Sequence, residues 1–164
     1  MTRASPLDAL VGTWTVDAVD PGHPTRTVRG RARFEWLDGR EFLIMRTTAR
    51  PPFPGTVAII GRERGRFAMH YFDSRGVARV YRMTLARGVW TLWRDDPDFA
   101  QRFKGRFRDR GRRIDGAWEL KAGRSWKPDF PMTYRRRRAD SPPGGRVPGR
   151  SSLPRSTQGR QKDR

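Results

Sequence analysis

Cysteine is absent from all 164 residues, which excludes disulfide staples, thiolate metal sites and a cysteine nucleophile. Histidine is scarce as well: only His23 and His70 occur, so imidazole chemistry rests on two positions. No stretch approaches the roughly 20 apolar residues of a membrane-spanning helix. The opening Met1-Thr2-Arg3-Ala4-Ser5-Pro6 has neither a long apolar core nor a small-residue cleavage site, so it does not read as a secretory signal. A cytoplasmic protein with no membrane span is expected.

Acidic residues are also in deficit, at 17 against 36 Lys and Arg, for a formal charge of +19. Ten of the basic residues, against two acidic ones, fall in residues 135–164. Two explanations stand: arginine codons favoured by a G+C-rich genome, or an electrostatic footprint for a polyanion such as nucleic acid. Beyond Tyr134 the chain becomes rich in Arg, Ser, Pro and Gly, with only Val147 and Leu153 as sizeable apolar groups after residue 138. Such a segment buries too little surface to offset its ordering entropy. Residues 136–164 are therefore expected to be a disordered basic tail, capable of weak, non-specific nucleic-acid binding, after a single domain over residues 1–135.

What the chain does have is aromatic area, in 6 Trp, 9 Phe and 3 Tyr. These lie in short runs of alternating character. In Phe99, Gln101, Phe103, Gly105 and Phe107 one face is mostly aromatic, while Ala100, Arg102, Lys104, Arg106 and Arg108 make the other mostly cationic. That period of two marks a half-buried strand. Ile114, Trp118 and Leu120 alternate in the same way, as do Trp126, Phe130, Met132 and Tyr134 against Lys127, Asp129 and Arg135. Asp38-Gly39, Arg64-Gly65, Ser74-Arg75-Gly76, Arg87-Gly88 and Arg110-Gly111 separate such runs as turns, with Asp38-Gly39 suited to a type I′ hairpin. Pro51-Pro52-Phe53-Pro54-Gly55 reads as a longer loop and Asp95-Asp96-Pro97-Asp98 as a break. The predicted strands cover 12–19, 26–37, 40–49, 56–63, 66–73, 77–86, 88–94, 99–108, 112–121 and 125–135, after a helical turn at 6–11. Short connections between sequence neighbours favour an all-β, roughly ten-stranded antiparallel up-and-down β-barrel over a sandwich.

The opening Leu10-Val11-Gly12-Thr13-Trp14, behind a helical turn, resembles the Gly-x-Trp start of the calycin superfamily of lipocalins, fatty-acid-binding proteins and nitrobindins. Met69-His70-Tyr71-Phe72-Asp73-Ser74-Arg75-Gly76 and Trp90-Thr91-Leu92-Trp93-Arg94-Asp95 are similar to an uncharacterised bacterial family with that barrel. The resemblance spans residues 7–135 and implies an interior cavity for a small, mostly apolar ligand or a haem. Nitrobindins hold haem through a histidine late in the barrel. Neither histidine here lies beyond residue 70, so no cofactor is assigned. Tyr134-Arg135 sits on the last strand, where fatty-acid binders carry an Arg-x-Tyr pair in a different order.

The residues themselves supply a short set of candidates. An inward arginine gives a ligand carboxylate a bidentate fork; Arg79 shares a face with Tyr81, Arg94 shares one with Trp90, and Arg46 faces inward if the Asp38-Gly39 turn carries a bulge. His70 faces the interior or the solvent depending on a one-residue register choice; inward, it would serve as a ligand contact or a general base. Asp95, Asp96 and Asp98 read as turn chemistry rather than a metal site. The phenylalanines lie opposite the cationic row Arg102 to Arg108, which argues against a stacking platform for single-stranded nucleic acid. The expected function is non-catalytic binding of a small apolar or acidic ligand, with Trp14, Trp36, His70, Arg79, Tyr81, Trp90, Arg94, Trp118 and Tyr134 as its contacts. The alternatives are polyanion binding through the outer face and tail, and a haem protein or small-molecule enzyme using His70.

Overall fold

The computed structural model describes residues 4–138. The expected tail lies outside them except for its first residues. Ser5 caps a 3-10 turn over Pro6–Ala9, its hydroxyl taking the Leu7 N–H while Asp8 returns a carboxylate to the Ser5 N–H. This reciprocal capping box settles where the turn begins.

Ten antiparallel strands follow: β1 (Gly12–Asp20), β2 (His23–Trp36), β3 (Phe42–Ala49), β4 (Thr56–Glu63), β5 (Arg66–Asp73), β6 (Ala78–Ala86), β7 (Val89–Asp96), β8 (Phe99–Arg108), β9 (Arg113–Ala122) and β10 (Ser125–Arg136). Each pairs with its sequence neighbours, and β1 pairs with β10 through Val16↔Tyr134 and Ala18↔Met132, which closes the barrel. Closure leaves no unpaired sheet edge.

Arg64-Gly65 and Arg87-Gly88 are two-residue hairpin loops with positive φ at both positions, the pattern of a type I′ turn. Asp38-Gly39 is not. Positive φ falls on Gly39 and Arg40 instead, in a wider turn held by Arg40 N–H to Leu37 O. Without a bulge there, Leu43 and Met45 point inward, so Phe42, Ile44 and Arg46 face outward and Arg46 pairs with Glu35 at 3.2 Å. His23, expected in a loop, begins β2.

The interior positions form one continuous core that includes Trp14, Phe34, Leu43, Ile60, Tyr81, Trp90, Phe103 and Ile114. Leu7 and Leu10 of the N-terminal segment are fully buried in it and plug one end. Arg136 holds the plug from β10, donating to the Ala9 carbonyl at 2.7 Å and to the Val11 carbonyl, with its guanidinium 4.1 Å from the Trp14 ring centre. Outside, cross-strand ion pairs such as Asp17–Arg29, Glu35–Arg46 and Glu119–Arg102 cover the wall. Each such exposed pair adds little stability, about 0–1 kcal/mol.

Candidate functional site: a cavity open at the end opposite the plug

A cavity of about 830 Å³ occupies the half of the barrel away from the 3-10 turn. That lies within the roughly 300–1,000 Å³ typical of small-molecule sites. Its floor is aromatic: Trp90 and Tyr134 face the cavity 5.8 Å apart in edge-on contact, and Phe103 and Phe34 back Trp90 from the core at 5.1 and 6.0 Å. Met45, Met69 and Met132 line its walls and supply soft, adaptable surface. Trp118 Nε1 and the Tyr134 hydroxyl both turn to Met132 Sδ, at 3.2 and 3.9 Å. Burial pushes the Tyr134 phenol above its ordinary range, so it stays neutral.

The mouth is built by the connections at that end. Asp20, at 3% exposure, accepts from the Gly22 N–H at 2.9 Å and lies 3.4 Å from His23 and 3.5 Å from Arg26. Arg26 also donates to the Pro51 carbonyl at 3.2 Å, joining the β1–β2 turn to the β3–β4 loop. From that loop Phe53 meets Phe130 of β10, the ring centres 5.2 Å apart and the planes tilted by 57°. The loop therefore overhangs the opening.

Polar groups inside are few and placed on alternate strands. The Tyr81 hydroxyl donates to Gln101 Oε1 at 3.0 Å, between β6 and β8, with the Arg79 guanidinium beside the phenol. Arg79 itself covers the Phe99 ring at 3.9 Å. The Tyr71 hydroxyl donates to Asp73 Oδ2 at 2.9 Å, and Arg75 binds the same carboxylate at 2.6 Å. These bonds hold Asp73 well below the usual carboxylate range, while burial first and then Asp73 push the Tyr71 phenol up.

Of the expected contacts, Arg79, Tyr81, Trp90, Trp118 and Tyr134 line the cavity together. Trp14 and Trp36 do not reach it. They serve the plug, Trp14 Nε1 donating to Leu10 O at 2.8 Å and Trp36 Nε1 to Asp8 Oδ1 at 2.9 Å. Arg94 leaves the cavity to hold the β7–β8 turn, pairing with Asp96 and Asp98 at 2.9 Å each. His70 is outside altogether: Met69 and Tyr71 take the interior, so the alternation puts the imidazole on the outer wall, bonded to Glu63. On the outer wall His70 is neither a cavity contact nor within reach of a group held inside the barrel. Asp95 is bound by Lys121 at 2.7 Å, so the aspartate cluster is spent on salt bridges.

The barrel has a solved counterpart. It is similar to the crystal structure of Rv2717c from M. tuberculosis, with a TM-score of 0.55 and 16% identity, over 84% of this chain and all of that one. The likeness is one of fold. No protein-family model and no curated protein matches the chain. No helix among the described residues is long and apolar enough to cross a membrane.

Two residues at the site escape simple alternation. Asp129 was expected outside with Lys127, and Trp126 inside. A register shift between Pro128 and Phe130 reverses the faces. Trp126 ends on the outer wall beneath Arg102, 4.6 Å from its guanidinium, and Asp129 borders the cavity. Gln101, on the inward face by its strand pattern, is 9% exposed and is not among the contacts expected from the sequence. Its polar character among phenylalanines was the available signal.

Proposed function

We propose that this protein is a calycin-type carrier that binds a small, mostly apolar ligand inside its barrel, without catalysing a reaction. The observation that carries the reading is the cavity itself: a large, aromatic-floored space, plugged at one end and open at the other. Apolar lining supplies affinity by area removed from water, while a few polar groups set orientation. Arg79 and Tyr81, neighbours on one face of β6, are the contacts for an acidic or acceptor group.

The residues do not fit a haem held through histidine. His70 lies outside the cavity, and His23 stands at the rim, its side chain 73% exposed and beside Asp20. On β8 the phenylalanines face inward, opposite its cationic row, which counts against a nucleic-acid stacking platform on that strand.

The test is native mass spectrometry of the purified protein, compared with the denatured chain, together with titration by 1-anilinonaphthalene-8-sulfonate. A co-purifying small molecule, or one-to-one dye binding displaced by decanoate, is expected. Absence of both would overturn the reading.

A further inference from the structure

The cavity holds two opposite charges that the protein leaves uncompensated. Arg79 enters it from β6 and covers the Phe99 ring, with no carboxylate of the described residues in an ion pair with it. Asp129 enters it from β10 and makes no ion pair with any described residue. The carboxylates around the opening are committed elsewhere: Asp20 to His23 and Arg26, Asp73 to Arg75, and Asp96 and Asp98 to Arg94. On the strands between the two charges Tyr81 of β6 donates to Gln101 of β8 at 3.0 Å, and Asp129 lines the same cavity from β10.

The backbone at Asp129 points the same way. Pro128 pairs with Glu119 and Phe130 with Trp118, so Asp129 is the extra residue of a β-bulge. A bulge interrupts pairing and re-aims a side chain, and such bulges concentrate beside binding sites. Pro128 on one side and Pro131 two residues on remove two ladder donors in the same stretch. Burial lifts the Asp129 carboxyl above its ordinary range, the direction expected for a charge without a cation beside it. A monoacid ligand would satisfy Arg79 and leave Asp129 facing a second negative charge.

Resting on the carrier reading above, we propose that the cavity selects a dipolar head group. An anionic acceptor binds Arg79 and Tyr81, an ammonium or N–H donor binds Asp129, and an apolar body lies on the floor of Trp90, Trp118 and Tyr134. The ligand class is an amino-acid-like amphiphile rather than a simple fatty acid.

The experiment compares decanoate, decylamine, 2-aminodecanoate and 4-aminodecanoate as displacers of the bound dye at pH 7. The last two set the charges at different spacings. At least one amino acid is expected to bind about tenfold or more tightly than either single-charge probe, the worth of one additional charge-assisted hydrogen bond. Asp129→Asn is expected to erase that advantage without weakening decanoate. Arg79→Gln is expected to weaken every carboxylate and spare decylamine. Circular dichroism shows whether each variant is folded, and the wild-type ranking decides the matter without them. Decanoate binding as tightly as both amino acids in the wild type would overturn dipolar selection while the carrier reading stands. If none of the four displaces the dye and nothing co-purifies, the carrier reading fails and the inference falls with it.

Discussion

The indole Nε1 of Trp14 donates to the Leu10 carbonyl across 2.8 Å, in a fully buried contact that fastens the first strand to the N-terminal plug. At the cavity floor Trp90 is equally buried, yet its Nε1 has no hydrogen-bond partner among the described residues. Two tryptophans of one core thus differ in whether the indole N–H is satisfied. Trp14→Phe strands an acceptor; Trp90→Phe deletes an unsatisfied donor. Leaving a buried polar group unpaired costs about 1–3 kcal/mol. Urea denaturation is expected to show Trp14→Phe as the more destabilising change by about that amount, and equal losses would contradict the assignment.

Asp73 and Tyr71 bound the pH range of stability from opposite sides. The folded pKa of Asp73 lies below its ordinary 3.8, so its stabilisation is complete above that value and is lost as pH falls through the acid range. The folded pKa of Tyr71 lies above 10.0, so its contribution is complete below pH 10 and is lost as pH rises beyond it. Thermal unfolding between pH 2 and 5 is expected to vary less steeply in Asp73→Asn than in the wild type. Above pH 10, Tyr71→Phe is expected to flatten the loss in the same way.

Gly105 and Gly116 face each other across β8 and β9 beneath the Phe103 ring. A Cβ at Gly116 falls inside van der Waals contact of that ring, which packs against Trp90, Trp118 and Tyr134. Gly116→Ala is therefore expected to destabilise the fold by about 1–3 kcal/mol. The lowered urea midpoint would be absent if the ring could shift.

The overhanging loop is held by Phe53 on Phe130 and by Arg26 on Pro51. An aromatic pair of this kind contributes about 0.5–1.5 kcal/mol beyond its buried area. Phe53→Ala is expected to raise both association and dissociation rates of the bound dye in stopped-flow fluorescence, with a smaller change in their ratio. Unaltered rates would mean that the loop does not control entry.

His70→Ala is expected to leave dye affinity unchanged and to shift stability by no more than about 0.5 kcal/mol, as for an exposed wall position. Loss of binding would place the imidazole in the site after all.

Alternation and turn residues were local enough to read from the chain: Arg64-Gly65 and Arg87-Gly88 as hairpins, Gln101 and Phe103 on one face, ten strands in sequence order. They follow from φ preferences and a period of two, which neighbouring residues alone dictate. What tertiary structure decided depends on where that period is broken or offset. A one-residue bulge at Asp129 turned a wall carboxylate toward the cavity and sent Trp126 outside. The wider turn at Gly39 set the facing of Arg46 and its whole strand. The size of the cavity, and which aromatics line it rather than the plug, depend on closure between β1 and β10. That pairing joins residues more than a hundred positions apart, and no local pattern carries its register.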